Sequence, residues 1–223
     1  MQMKNLLYKE FKLNVTPICY VFVILTPLFT LIPNYPGCIA YLYFNVIVQM
    51  LFLGPNIGIS NNDMMYSLLL PTKKRDIIKG KLLTLICFEL ATVVLGTICG
   101  YIAKYVYPTP SEYLGLTVGP LFVGVILFSM SIFNLIFIGW YFKDGKSFTL
   151  PFLVSYFTYV IIVLMLSLFI PLILYLGDNV LFTKIFNNVW IDIGGLVIGI
   201  LSFIGINVLT NNIAGKAFEK VDF

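Results

Sequence analysis

The chain has 223 residues, of which 60% are hydrophobic and 11% charged, with a net charge of +4 and a mean hydropathy of +0.97. A soluble domain carries about 25% charged residues, so this sequence has too few to cover a water-facing surface and is expected to be an integral membrane protein. Histidine is absent, which excludes His-dependent triads, His-ligated zinc and haem sites, and His-containing intramembrane proteases.

Residues 1–14, MQMKNLLYKEFKLN, set Leu6, Leu7, Tyr8 and Phe11 against Lys4, Lys9, Glu10 and Lys12 at helical spacing. Such a helix is expected to lie in the membrane interface with its lysines at the headgroups. It is not expected to be a cleavable signal, because the next apolar run is long and no small-x-small site follows it. Six apolar runs then read as spanning helices at 15–32, 38–59, 82–103, 116–142, 150–176 and 191–209, each near the roughly 20 residues that a span needs. Pro27 is expected to bend the first. The semi-apolar VLFTKIF between the fifth and sixth reads as a short interfacial or re-entrant helix, and a polar tail follows the last span. The expected fold class is all-α, a single polytopic transmembrane domain.

The longest polar interruption is residues 61–81, NNDMMYSLLLPTKKRDIIKGK. Asn61, Asn62 or Asp63 is suited to cap a short helix carrying Met64, Met65, Leu68 and Leu69. Pro71 is expected to end it, and Thr72 to cap a second helix that continues into the third span. Lys73, Lys74 and Arg75 in that helix's first turn oppose the helix dipole, so their role is expected elsewhere. One role is topogenic, since basic loops stay cytoplasmic. A further role is docking, with an apolar and basic surface offered to a soluble partner. With the N-terminus inside, the inside segments hold Lys4, Lys9, Lys12, Lys73, Lys74, Arg75, Lys79, Lys81, Lys143, Lys146, Lys216 and Lys220. The outside loops then hold only Lys104 and Lys184. Both termini are therefore expected in the cytoplasm.

Little in the chain suggests catalysis. Gly139 and Gly145-Lys146-Ser147 are spaced G-x5-GKS, whereas a phosphate-binding loop needs G-x4-GK[ST] after a strand. Cys19, Cys38, Cys87 and Cys99 form no C-x-x-C and read as small buried hydrophobes. Glu89 is the one carboxylate well inside a predicted span, where a charge costs roughly 2.5–3.5 kcal/mol on insertion scales. It reads either as a polar point on a transport pathway or as a structural group, protonated or hydrogen-bonded, packed against another helix. Asn45, Gln49, Asn134 and Asn207 read as interhelical hydrogen-bonding groups. Gly96-x-x-x-Gly100 and Gly195-x-x-x-Gly199 permit close helix approach, within the chain or between copies. The Tyr and Phe residues read mostly as lipid-facing bulk and interface belts. No basic-aromatic groove suggests nucleic acid.

Within residues 61–81, Asp63 is followed by a run matching L-P-x-x-[KR]-x-[DE]-[IV]-[IV]-x-[GA]-[KR] at Leu70, Pro71, Lys74, Asp76, Ile77, Ile78, Gly80 and Lys81. With an amphipathic first helix and six spans, the chain resembles the permease subunits of type-2 ABC exporters, in particular a short Gram-positive bacterial subfamily. The resemblance implies a multi-pass protein of the plasma membrane. It implies that Asp63, Met65, Tyr66, Leu68, Leu69, Leu70, Pro71, Lys73, Lys74, Arg75 and Asp76 form the coupling segment, seated in a groove of a separate ATPase subunit. The partners implied are two ATPase subunits and a second permease, as a homodimer or a sister chain. ATP and magnesium belong to the ATPase, with no cofactor in this chain and no enzymatic activity of its own. Related short permeases export amphipathic peptides or confer immunity to antimicrobial peptides. The rival readings are a channel or secondary transporter, which calls for more charged groups at the midplane or paired broken helices, and a non-transporting immunity or scaffold protein.

Overall fold

A computed structural model of the chain describes residues 2–28, 31, 67, 72–106, 119–144, 148–176 and 189–220. The described residues are almost entirely helical and include no strand. The elements are α1 (Gln2–Lys9), which runs into a π-helical turn (Glu10–Asn14), α2 (Pro17–Leu28), α3 (Lys74–Val106), α4 (Pro120–Asp144), α5 (Thr149–Leu176) and α6 (Val189–Glu219). Three of them, α3, α4 and α6, are long and apolar enough to cross a membrane. The number becomes four if α1 and α2, bent by 84° at their junction, count as one. Within α5, Thr149–Val163 is a further apolar stretch. The 38–59 run and the VLFTKIF segment lie outside the described residues.

Local chemistry fixes the helix starts. The N–H of Val15 reaches back five residues to the Glu10 carbonyl at 3.1 Å, which closes the π turn. Thr16 then caps α2 with its carbonyl, and Pro17 occupies the first helical position, where its missing N–H costs nothing. Gly119 and Pro120 repeat this arrangement at the start of α4. Lys73, not the expected Thr72, supplies the capping carbonyl of α3, accepting from the N–H groups of Asp76 and Ile77. Thr72 Oγ1 is buried with no hydrogen-bond partner. Asp76 in the first turn complements the dipole that Lys74 and Arg75 oppose.

α4 is the central helix and packs against α3, α5 and α6. It runs antiparallel to α5, as the contacts of Phe137 with Phe148 and of Phe133 with Tyr159 require. It runs parallel to α6: Gly124 meets Gly195 and Gly199 near the start of both helices, and Phe142 meets Phe218 near their ends. A Cβ on Gly124 would overlap the Gly195 carbonyl, and one on Gly199 would overlap Gly124 itself. The Gly195-x-x-x-Gly199 motif therefore serves packing within the chain. The buried stripe of α6, Gly199, Phe203, Asn207, Thr210, Ala214 and Phe218, follows the three-and-four spacing of one helical face.

Two sequence expectations change. The aromatic residues include an internal set: Phe133, Phe137, Tyr141, Phe148, Phe152 and Tyr156 stack or meet edge-to-face along the α4–α5 seam, where rings fill volume and gain from edge-to-face geometry. The expected polar tail after Leu209 is helical instead, and α6 continues to Glu219. Phe218 and Ala214 extend the buried stripe with Thr210, and the charged residues Lys216, Glu219 and Lys220 occupy the exposed faces of a packed helix.

Candidate functional site

The start of α3 and the end of α6 lie side by side, because the Arg75 guanidinium pairs with Glu219 at 2.7 and 2.9 Å. The end of α4 joins them through Phe142 and Phe218. Lys73, Lys79, Lys143, Lys216 and Lys220 are exposed at these helix ends, so one end of the bundle is basic. Gly215 leaves room for the Arg75 side chain, whose Cγ lies 3.1 Å from where a glycine Cβ would be built. Of the residues expected to couple to a partner, Lys73 and Arg75 are exposed and Lys74 and Asp76 half-buried. Asp63, Met65, Tyr66, Leu68, Leu69, Leu70 and Pro71 lie outside the described residues, as does all of the segment's first piece except Ser67.

Ser67 is the described member of that first piece, and it is helical and buried. Its Oγ accepts a hydrogen bond from Lys9 Nζ. The neighbouring Glu10 carboxylate is 3.6 Å from Lys9 Nζ and 3.4 Å from Lys81 Nζ. Leu6 packs over Gly80, and the Phe11 and Tyr20 rings both meet Phe88, at 5.8 and 5.7 Å. The first helix is thus fastened both to α3 and to the segment that precedes it. The lysines are tethered by long apolar stems, so they reach a buried carboxylate while staying near the basic end. Alternating charge in residues 1–14 signalled an amphipathic helix, but no local signal named Lys81 or Ser67 as its contacts.

A second polar site lies at mid-length of α3, α4 and α6. Asn134 Nδ2 donates to Glu89 Oε2 and to Asn207 Oδ1, each at 3.0 Å. Asn207 Nδ2 donates to the Phe203 carbonyl one turn back at 2.9 Å. Glu89 and Asn134 are 0% exposed and Asn207 5%. Among the described residues, Glu89 Oε1 and Asn134 Oδ1 have no hydrogen-bond partner, and Asn211 Oδ1, one turn beyond Asn207, has none either. The nearby hydroxyls of Thr92 and Thr210 donate to carbonyls of their own helices, the usual way for such side chains to satisfy themselves in an apolar setting. The expectation of an interhelical hydrogen bond holds for Asn134 and Asn207. Asn45 and Gln49 are outside the described residues. The sequence marked Glu89, Asn134 and Asn207 separately, without joining them.

The described cysteines differ from one another: Cys19 is buried, Cys99 half-buried and Cys87 exposed, all as free thiols, so burial does not hold for Cys87, and Cys38 lies outside the described residues. Among the described residues no cluster of acids and cysteines is suited to hold a metal ion. Comparison of the chain with protein-family models, with curated proteins and with solved structures finds no match.

Proposed function

We propose that this chain is the membrane-spanning permease subunit of an ATP-driven ABC exporter that moves amphipathic peptides or similar hydrophobic antimicrobial compounds. On this reading it has six spans with an interfacial first helix, sits in a bacterial plasma membrane with both termini cytoplasmic, and works with two ATPase subunits and a second permease. ATP and magnesium are handled by the ATPase.

The observation that carries the reading is the continuity of α3, which is one 33-residue helix from Lys74 to Val106. It begins inside the basic segment and ends beyond the Glu89 level, a length of about 50 Å at 1.5 Å per residue. A partner seated on residues 63–76 would therefore hold one end of a lever whose other end crosses the bundle. The contacts of Lys9 with Ser67 and of Glu10 with Lys81 support this, because they bind the first helix to the same lever. Closure of an ATPase dimer would shift the balance between two arrangements of the helices.

The test is co-purification with the ATPase at matched membrane expression. Leu68→Asp together with Leu69→Asp is expected to abolish the complex, since buried apolar anchors dominate such contacts. Lys74→Ala is expected to weaken it less, in a salt-dependent way. Cysteines at Lys104 and Lys184 are expected to label from outside the cell, and one at Lys74 only after permeabilisation. Full complex and full transport in the double Leu variant would leave residues 61–81 as a topogenic loop only, and external labelling at Lys74 would end the reading.

A further inference from the structure

We propose that the Glu89–Asn134–Asn207 cluster is a proton-binding site, occupied in the packed bundle, in which one proton on Glu89 joins α3 to α4 through a paired acid–amide contact. The inference stands apart from the exporter reading and from any partner.

Asn134 spends both of its N–H donors, one on Glu89 Oε2 and one on Asn207 Oδ1. The atoms left over on the bonded Glu89–Asn134 pair are Glu89 Oε1 and Asn134 Oδ1. Both are acceptors, so no rotation of existing donors pairs them with each other. A buried polar atom without a partner costs about 1–3 kcal/mol, and here two sit on directly bonded residues. A proton on Glu89 Oε1 changes this at once. A protonated carboxyl is a donor as well as an acceptor, so its O–H can turn to Asn134 Oδ1 while Oε2 still accepts from Asn134 Nδ2. The two side chains then share a closed ring of two hydrogen bonds, and both leftover atoms are used. The proton comes from hydronium in bulk water, which returns to water, and the carboxylate becomes a neutral acid.

Among the described residues, the surroundings offer no counter-charge. On α3 the next cation towards the basic end is Lys81, about 12 Å along the helix from Glu89, and it is engaged with Glu10. On α4 Lys143 lies nine residues from Asn134, and on α6 Lys216 lies nine residues from Asn207, each about 14 Å along its helix. Asp192 and Glu219 are farther still on α6, and Glu219 is paired with Arg75. α2 packs on α3 through Tyr20 against Phe88, with Cys19 buried nearby in the same core. From the first helix, Lys9 and Glu10 are held with each other and with Ser67 and Lys81. None of these groups hydrogen-bonds to Glu89. Among the described residues every cation is too distant to neutralise it, and its complete burial favours the smallest occupant.

A proton held by the folded protein and released on unfolding makes stability fall as pH rises. The experiment is thermal unfolding of the full-length protein in lipid nanodiscs across about pH 5.5 to 9, for the wild type and Glu89→Gln. A glutamine has the same shape and presents a permanent N–H donor and carbonyl acceptor to Asn134, which mimics the protonated acid. The wild type is expected to lose at least about 3 °C of melting temperature between the ends of this range beyond any change in Glu89→Gln. A second measurement needs no variant to fold: infrared spectra of the wild type near neutral pH should contain the carbonyl band of a buried protonated carboxyl, shifted by deuterium. Parallel pH curves for the two proteins, or absence of that band, would overturn the proposal. So would a melting temperature that follows sodium or potassium at fixed pH but not pH itself, because the occupant would then be a metal cation.

Discussion

Glu10 and Glu89 both carry buried carboxyl groups, exposed by only 2% and 0%, yet the protein treats them in opposite ways. Glu10 sits beside the basic end, and Lys9 and Lys81 reach it with cations. Glu89 sits at mid-length of α3, and its hydrogen-bonding neighbour is the neutral amide of Asn134. Depth along the helices, more than the degree of burial, separates them. A lysine anchored near a helix end can bring its charge inward a few ångströms and keep its stem in apolar surroundings. Among the described residues there is no such anchor point at mid-length, and the donor that reaches Glu89 is a neutral amide on an adjacent helix. The same residue type therefore builds an ion cluster in one place and an amide-bonded clasp in the other.

The contrast can be broken from either side. The largest effect is expected from Asn134→Leu, which removes both donors of the clasp and leaves Glu89 Oε2 and Asn207 Oδ1 bare. We expect a loss of about 2–4 kcal/mol, at the lower end if lipid-embedded hydrogen bonds are weak here. Unfolding by SDS in mixed micelles measures it, and a loss below about 1 kcal/mol would mean that the clasp does not hold α3 to α4 and α6. Glu10→Gln should cost less, about 1–2 kcal/mol, because Lys81 can turn towards water when its partner is neutralised, unlike a cation trapped in the interior. The same assay at low and high salt sharpens the point, since the Glu10 cluster should respond to salt and the Asn134 contacts should not. The smallest effect is expected from Glu219→Gln. Arg75 and Glu219 are about half exposed, and such pairs contribute about 0–1 kcal/mol. A difference in melting temperature that persists in high salt would show that this contact has more than a surface role.

The long elements were legible because they rest on local signals. The apolar runs 82–103, 116–142, 150–176 and 191–209 gave α3, α4, α5 and α6 to within a few residues at most ends, and Pro17 and Pro120 mark two starts by the same rule. The start of α3 at Lys74 matches the second helix expected after Pro71 and running into the third span. The exception lies at a polar end: α6 continues to Glu219, because Ala214 and Phe218 are buried on otherwise polar turns. A hydropathy average hides such single-face burial. The sites were legible as residues but not as groupings. Glu89 stood out as a charge in an apolar run, while its partner on α4 is 45 positions away and its link to α6 passes through that partner. Lys81 gave no hint of Glu10, because basic residues at membrane edges already have a topogenic explanation.

The glycine crossing of α4 and α6 decides which parts of this protein can change position. Where Gly124 lies against Gly195 and Gly199, main chain meets main chain with no side chain between. Sliding α4 by one turn would bring Leu121 or Phe128 to a spot that admits no Cβ. Phe142 on Phe218 fixes the far end of the pair. The two helices therefore form a stiff beam. α3 has a different footing: besides its apolar contacts, it is fastened to that beam by hydrogen bonds at Glu89 and by an exposed ion pair at Arg75, and both can be exchanged for other partners. Any rearrangement that begins at Lys74 turns α3 as a crank against a fixed frame, and the beam keeps its length and its register while the crank moves.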